Sequence, residues 1–275
     1  MAGAELDIIP KICRYYLNEC TFGYSFPWWN EDDWVRHIDW MALNGINMPL
    51  APTAQEAIQK QVYLELGLTE TEVDTHFPGP AFLPWGRMGN IKSWGGPPST
   101  DWHKRSISLQ HQILYQMRVL GMTPVLPGFA GHVPYAVLRL YPNASYQVQS
   151  WLDLGFSCNL TCTILLDPRG PVFKEIGVKI LDAMQAEFGT DHLYSSDPFN
   201  EMDPENNDLE YISEIGRGIF FAMQQSDASA VWVMQGWMFH SSEEYWKLPQ
   251  AKALLTSVPE GMYFTLIDLN AALLI

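Results

Sequence analysis

The chain has 275 residues, which suits one large domain or two smaller ones with a sizeable core. Lys and Arg total 16 against 31 Asp and Glu, so the formal net charge of −15 argues against a nucleic-acid backbone or an anionic membrane as partner. The first residues do not resemble a signal peptide, and no apolar run approaches the ~18 residues of a membrane span.

Strand-like and helix-like patterns alternate along the chain. The most distinct helix follows Asn30, which is placed to cap it, and carries Trp34, Ile38 and Met41 on one face before ending at Gly45. The predicted strands are 15–23, 46–51, 123–127, 193–197, 231–235 and 262–266. The predicted helices are 30–45, 54–66, 107–120, 134–141, 172–188, 209–225 and 243–257. Residues 77–102, rich in Gly, Pro and Trp, and the region around 142–171 are predicted to be irregular.

This alternation predicts an α/β fold with a parallel sheet. No Gly-rich phosphate loop follows the first predicted strand, so a TIM barrel is favoured over an open doubly wound sheet. About six of the eight βα units of a (β/α)8 barrel are present, and we expect residues 1–275 to form one incomplete catalytic barrel domain.

In such barrels the functional residues follow the strands. The side chains that meet this condition are Asn18, Glu19, Cys20, Gln55, Glu56, His132, Asn200, Glu201 and Trp237. The pair Asn200-Glu201 is the most informative, because an Asn can hold a sugar substituent while the adjacent Glu protonates the departing oxygen. Its alternative is an ordinary pair of solvated loop residues. The aromatic content of 13% suits sugar stacking, although most such rings pack in cores.

Two N-glycosylation acceptors, at Asn143 and Asn159, favour a secretory compartment. Asn159 lies between Cys158 and Cys162, whose spacing permits a small disulfide loop but also fits free thiols. No second closely spaced cysteine pair occurs, which argues against a zinc site. We expect a disulfide between Cys158 and Cys162 and a free thiol at Cys20.

Several long strings in order resemble the α-N-acetylglucosaminidases of glycoside hydrolase family 89, the mammalian lysosomal members in particular. The resemblance extends over nearly the whole chain. The strings are IDWMALNGIN at 38–47, QEAI at 55–58, GPAFL at 79–83, WGRMGN at 85–90, FAGHVP at 129–134, EFGTDH at 187–192, FNEM at 199–202 and QGW at 235–237.

The resemblance implies a retaining hydrolase, without metal or cofactor, that removes terminal α-linked N-acetylglucosamine from heparan sulfate in the lysosome. Its substrate would be a glycosaminoglycan or another N-acetylglucosaminide, and its full-length form a homo-oligomer. Glu201 would be the general acid/base. The family positions that line the sugar pocket fall on Asn18, Cys20, Trp85, Asn200 and Trp237, with Asp268 near the edge. His132 is a further candidate from barrel geometry alone, and it could equally be a packing histidine.

Some family parts have no counterpart in these 275 residues. The resemblance implies that the small N-terminal domain, the last strands, the helical C-terminal domain and the nucleophilic Glu are absent. We therefore expect these residues alone to be catalytically inactive, although the family is enzymatic. The alternative function, from a different class, is a sugar-binding remnant that lacks the nucleophile. A retaining enzyme needs two carboxyl groups ~5–5.5 Å apart.

Overall fold

The computed structural model describes residues 13–151 and 155–265. The helices are α1 (Glu19–Ser25), α2 (Glu31–Leu43), α3 (Gln55–Glu65), α4 (Glu70–Asp74), α5 (Leu83–Arg87), α6 (Thr100–Val119), α7 (Val137–Leu140), α8 (Cys158–Thr161), α9 (Pro171–Phe188), α10 (Leu209–Ser226), α11 (Met238–Ser241) and α12 (Leu248–Leu255). The strands are β1 (Tyr15–Tyr16), β2 (Met48–Pro49), β3 (Leu126–Pro127), β4 (His132–Val133), β5 (Tyr146–Ser150), β6 (Cys162–Leu166), β7 (Leu193–Ser195), β8 (Val231–Met234) and β9 (Tyr263–Thr265).

The central strands pair in parallel. β1 pairs with β2, a parallel bridge joins Leu50 to Val125 beside β3, and the order then continues β3-β7-β8-β9. Helices form the crossovers, so the architecture is of the α/β TIM-barrel type that the sequence predicts. In the part of the chain that the structure describes, β1 and β9 are not paired, and the sheet is open rather than a closed barrel. The number of βα units remains a prediction.

The longest helices follow directly from apolar periodicity and caps. Asn30 and Asp33 form a reciprocal capping box at the start of α2, which confirms the predicted N-cap. α9 and α10 bury one apolar face each, and α10 packs between α9 and α12. The buried strand β8 lies beneath this layer with all four side chains in the core. This packing fixes the ends of β7 and β8, where the candidate site lies.

A second, antiparallel sheet has the order β4-β6-β5. β5 and β6 lie within the region predicted to be irregular, and β4 lies just before the helix predicted at 134–141. β6 is fully buried, whereas most of β5 is exposed. β4 has only two residues, too few for a periodic signal. β5 alternates apolar and polar residues, but it exposes Tyr146 and Val148 and buries Gln149, the reverse of the usual pattern. This side sheet, as we call β4, β5 and β6, was missed by the sequence analysis.

Three predicted boundaries were wrong. The first strand ends at Tyr16 instead of residue 23, because the side chain of Asn18 accepts the backbone N–H of Thr21 and starts α1. α6 begins at Thr100 rather than 107, since Ser99 caps it. The last predicted helix begins only at Leu248, with Pro at its first turn.

Candidate active site

The carboxylate of Glu201 accepts three side-chain N–H groups from three separate loops. Oε2 accepts the amide Nδ2 of Asn90 at 2.8 Å and the indole Nε1 of Trp151 at 2.6 Å. Oε1 accepts the indole Nε1 of Trp237 at 3.1 Å. Glu201 follows β7 at the carboxyl end of the parallel strands, where TIM barrels place their chemistry. The side chain is thus held in one orientation and is only partly covered.

Asn90 is fully buried, with 0% of its surface exposed. Its backbone N–H donates to the carbonyl of Trp85, and the preceding Gly89 has a φ of +77°. This turn aims the amide at Glu201. The amide oxygen of Asn90 is buried and has no hydrogen-bond partner. The sequence analysis quoted Asn90 within a family string but gave it no role, because its partner lies 111 residues away.

Trp151 directly follows β5 in the side sheet. Its backbone N–H donates to the carbonyl of Thr161 at 3.1 Å. Thr161 lies in the turn of residues 158–162, which the Cys158–Cys162 disulfide closes and which we call the disulfide turn. Trp151 is a site residue that the sequence analysis missed, since nothing near it in sequence marks it as functional.

Trp237 follows β8, and its side chain is 38% exposed. The loop that carries it is tied to the end of β7 by Asp197, whose carboxylate accepts the backbone N–H groups of Gln235 at 2.9 Å and Gly236 at 3.2 Å. Burial raises the pKa of Asp197 to about 6. The charge of Glu19 adds to this effect, and the two backbone donors oppose it.

A buried ion triad lies beside these loops. Arg87 donates to both oxygens of Glu56, at 2.7 and 3.0 Å, and its Nη1 lies 3.4 Å from Glu19. The guanidinium also stacks over the ring of Phe22. Burial raises the pKa of Glu19; Arg87 opposes this, whereas Glu56 adds to it. The two carboxylates that the sequence analysis placed near the barrel mouth are therefore engaged with Arg87.

Two predicted pocket residues come from α1 and its cap. The side-chain oxygen of Asn18 caps the helix through Thr21. Cys20 is a half-buried free thiol, as predicted. Burial raises the pKa of Cys20, and the charges of Glu201 and then Glu19 raise it further.

Three predicted pocket residues remain: Trp85, Asn200 and Asp268. Trp85 lies on α5 and its carbonyl accepts the N–H of Asn90, so it shares the loop that reaches Glu201. Asn200 is buried, and its carbonyl accepts the hydroxyl of Ser241. Asp268 lies outside the described residues.

His132 is buried in the side sheet, and the structure does not bring its ring to Glu201. Its Nε2 bonds Gln149 at 2.8 Å, and its imidazole packs directly against the α-carbon of Gly89. Burial lowers the pKa of His132 to about 4, with the Gln149 bond opposing that effect. The residue therefore supports the turn that precedes Asn90.

The disulfide between Cys158 and Cys162 is confirmed. Asn159, inside the disulfide turn, and Asn143 are both exposed, as glycosylation would require. Over residues 13–151 and 155–265, no group of three or more His, Cys, Asp or Glu side chains is arranged to hold a metal ion. No helix within those ranges is long and apolar enough to cross a membrane.

Comparison with known sequences gives two matches. The family model described as the alpha-N-acetylglucosaminidase (NAGLU) TIM-barrel domain matches residues 14–273. Human alpha-N-acetylglucosaminidase is 47% identical over 265 residues, which cover 96% of this chain and 35% of the human protein. The chain thus spans about a third of the length of this curated relative.

Solved structures of family 89 glycoside hydrolases from Clostridium perfringens share the fold. One, in complex with 2-acetamido-1,2-dideoxynojirmycin, is 26% identical with a TM-score of 0.79, over 92% of this chain and 28% of that one. Another carries two Glu→Gln substitutions and is bound to its substrate GlcNAc-alpha-1,4-galactose. It is 25% identical with a TM-score of 0.77, over the same 92% and 28%.

Proposed function

Because the chain belongs to the alpha-N-acetylglucosaminidase family of TIM-barrel domains, we propose that it supplies the acid/base part of a glycoside hydrolase. The enzyme would release terminal α-linked N-acetylglucosamine from the non-reducing end of a glycan, with Glu201 as general acid/base. The observation that carries this proposal is the placement of Glu201 at the carboxyl end of β7, held by three N–H donors.

The chemistry requires a carboxyl group that gives a proton to the glycosidic oxygen and later takes one from water. Glu201 is suited to this task because it is fixed in orientation and still partly exposed. Trp237, which is hydrogen-bonded to Glu201, is partly exposed, and the charge of Glu201 acts on the Cys20 thiol. Aromatic rings of this kind pack against the C–H face of a pyranose.

We propose that the reaction proceeds with retention of configuration. A retaining enzyme uses a second carboxylate as nucleophile, ~5–5.5 Å from the acid/base. The C. perfringens relative that binds an α-linked N-acetylglucosaminide carries two Glu→Gln substitutions, which supports a pair of carboxyl groups. The nucleophile is not assigned to any residue described here.

For the natural setting, we propose heparan sulfate as substrate and the lysosome as compartment. A disulfide and two exposed glycosylation acceptors support a route through the secretory pathway. The net charge of −15 is compatible with an acidic medium, in which protonation of carboxylates reduces both self-repulsion and the repulsion of an anionic glycosaminoglycan.

The deciding experiment uses the chain extended to the full length of its relatives. It compares Glu201→Gln with the wild type on two α-N-acetylglucosaminides, one with an unactivated alcohol and one with a dinitrophenol as leaving group. Loss of the acid should reduce kcat on the first by ~10²–10⁴-fold. Glycosylation by the second needs no proton and should be largely retained. Glu205→Gln is the matched control, since Glu205 is exposed four residues away. Unchanged turnover of the first substrate in Glu201→Gln would refute the assignment.

A second candidate is sugar binding without turnover. It is favoured by the state of the neighbouring carboxylates: Glu19 and Glu56 are engaged by Arg87, and Asp197 by backbone N–H groups. Assay of the form extended to the full length of its relatives for hydrolysis, together with calorimetric titration with N-acetylglucosamine, separates the two functions. Binding without hydrolysis supports the second candidate, and hydrolysis removes it.

A further inference from the structure

Resting on the proposed function, we propose that Glu201 transfers its proton through Oε1, whereas Oε2 is a fixed anchor held by Asn90 and Trp151. The assignment concerns which of the two carboxyl oxygens faces the scissile bond. It also divides the three donors into two positioning residues and one displaceable residue, Trp237.

The two oxygens of Glu201 have unequal surroundings. Oε2 accepts two short hydrogen bonds, from Asn90 at 2.8 Å and Trp151 at 2.6 Å, and Asn90 is fully buried. Oε1 accepts one longer bond, 3.1 Å, from the exposed Trp237. A proton on Oε2 would be repelled by two N–H donors and would weaken two hydrogen bonds, whereas a proton on Oε1 would weaken only the one from Trp237. The acid form therefore carries its proton on Oε1.

The two anchoring donors have a common support. The backbone N–H of Lys92, two residues after Asn90, donates to the carbonyl of Leu160 at 2.9 Å, and that of Trp151 donates to Thr161 at 3.1 Å. Both carbonyls belong to the disulfide turn. The Cys158–Cys162 disulfide thus closes the turn whose carbonyls hold the backbone beside Asn90 and at Trp151, the two donors to Oε2. Trp237 has no such support, since it lies on the loop after β8.

The proton step then follows from this division. The Oε1–H bond breaks, a new O–H bond forms on the glycosidic oxygen, and that oxygen keeps the electron pair of the broken bond to the anomeric carbon. The anomeric carbon is taken up by the nucleophile, a carboxylate in a retaining enzyme. The leaving oxygen occupies the position from which the indole N–H of Trp237 withdraws. Throughout, Oε2 keeps its bonds to Asn90 and Trp151.

The first test needs no turnover. In Glu201→Gln the carboxamide oxygen should keep its hydrogen bonds to Asn90 and Trp151, so that the NH₂ group faces Trp237. Because the NH₂ group and the indole N–H are both donors, the hydrogen bond of Trp237 should be lost. The indole ¹⁵N–¹H resonance of Trp237 should move toward that of the exposed Trp28, while the resonance of Trp151 stays. Trp→Phe variants assign each signal. Any other pattern, including movement of Trp151, overturns the proposal.

The second test compares Trp151→Phe with Trp237→Phe, which each remove one N–H and keep an aromatic ring. For an unactivated alkyl α-N-acetylglucosaminide, Trp151→Phe should lower kcat by ~10–100-fold, as expected for a lost hydrogen bond to a charged group. Trp237→Phe should act mainly on KM. The reverse pattern would make Oε2 the transferring oxygen. The variants of this second test are made in the form extended to the full length of its relatives. Failure of the proposed function itself would appear differently, as no turnover even in that full-length wild type, and would leave the resonance test intact.

Discussion

The carboxylate of Asp197 accepts the backbone N–H of Gln235 at 2.9 Å, which joins the strand end that leads to Glu201 to the one that leads to Trp237. Its second bond, to the N–H of Gly236, strengthens the same link. Since neither backbone group belongs to a helix or strand, Asp197 is their acceptor in the interior. Asp197 therefore helps to fix the relative position of the two site loops, together with the Ser241 hydroxyl that donates to the carbonyl of Asn200.

The stability contributed by Asp197 should depend on pH. Burial raises its pKa in the folded state from 3.8 to about 6. A raised pKa means that the folded state binds the proton more tightly, so the contribution is fully present below pH ~3.8 and is lost as the pH rises through ~6. Relative to Asp197→Asn, which does not titrate, the wild type should gain about 2 kcal/mol between pH 7 and pH 4. Urea denaturation of both proteins at several pH values measures this. A constant difference across that range would contradict it.

Loss of the Arg87 guanidinium should destabilise the fold strongly. Arg87→Met leaves Glu56, whose side chain is 3% exposed, as an uncompensated buried charge. We expect a loss of about 3–5 kcal/mol in the free energy of unfolding. Arg36→Met is the control, because its pair with Asp33 is on the surface and should contribute less than about 1 kcal/mol. Equal effects of the two substitutions would show that the triad is not the cause.

Gly89→Ala should disrupt the turn before Asn90. Gly89 has φ +77°, and a Cβ there would overlap the imidazole of His132. Gly67→Ala is a matched control, with φ +101° but nothing within 4 Å of the added carbon. Both variants carry the backbone cost of about 1–2 kcal/mol, and only Gly89→Ala adds the steric cost. Thermal unfolding should place Gly89→Ala clearly below Gly67→Ala, and equal melting temperatures would refute the clash.

Removal of the disulfide should cost stability and loosen the site. For so short a loop, the chain-entropy estimate is about 2 kcal/mol. The paired variant Cys158→Ser with Cys162→Ser is compared with Asn159→Gln, an exposed change in the same turn. Denaturation gives the difference. Alkylation with mass measurement supplies the chemical check, since Cys158 and Cys162 should react only after reduction. Their reaction in the unreduced protein would contradict the pairing.

The main helices and parallel strands were predictable because their signals are local. In α2, the cap at Asn30 and the buried face of Trp34, Ile38 and Met41 lie within a dozen residues. The strand before Glu201 was placed by the alternation of strand-like and helix-like segments and by the Asn200-Glu201 pair that follows it. The prediction of a strand over 15–23 was wrong because Asn18 caps α1, so that the helix begins where the strand was expected to continue.

The site was predictable in its central residue but not in its support. Glu201 and Trp237 were found from strand ends and the family resemblance. Asn90 and Trp151 bind the same carboxylate from 111 and 50 residues away, and only tertiary packing reveals that relation. In the side sheet that sets Trp151, β4 has two residues and β5 exposes its apolar side chains while burying Gln149, so periodicity alone does not identify the sheet.

The triad of Glu19, Arg87 and Glu56 contains two carboxylates and one guanidinium, so with all three groups ionised it retains one formal negative charge. It lies next to Cys20, whose thiol also experiences the charge of Glu201. In a poorly solvated site such a fixed charge creates a field that attracts cations. Cleavage of a glycoside builds positive charge on the sugar ring. In the proposed reaction, this field would therefore favour the transition state over the neutral substrate. For the same reason, sugar analogues with a protonated ring nitrogen should bind more tightly than their neutral counterparts.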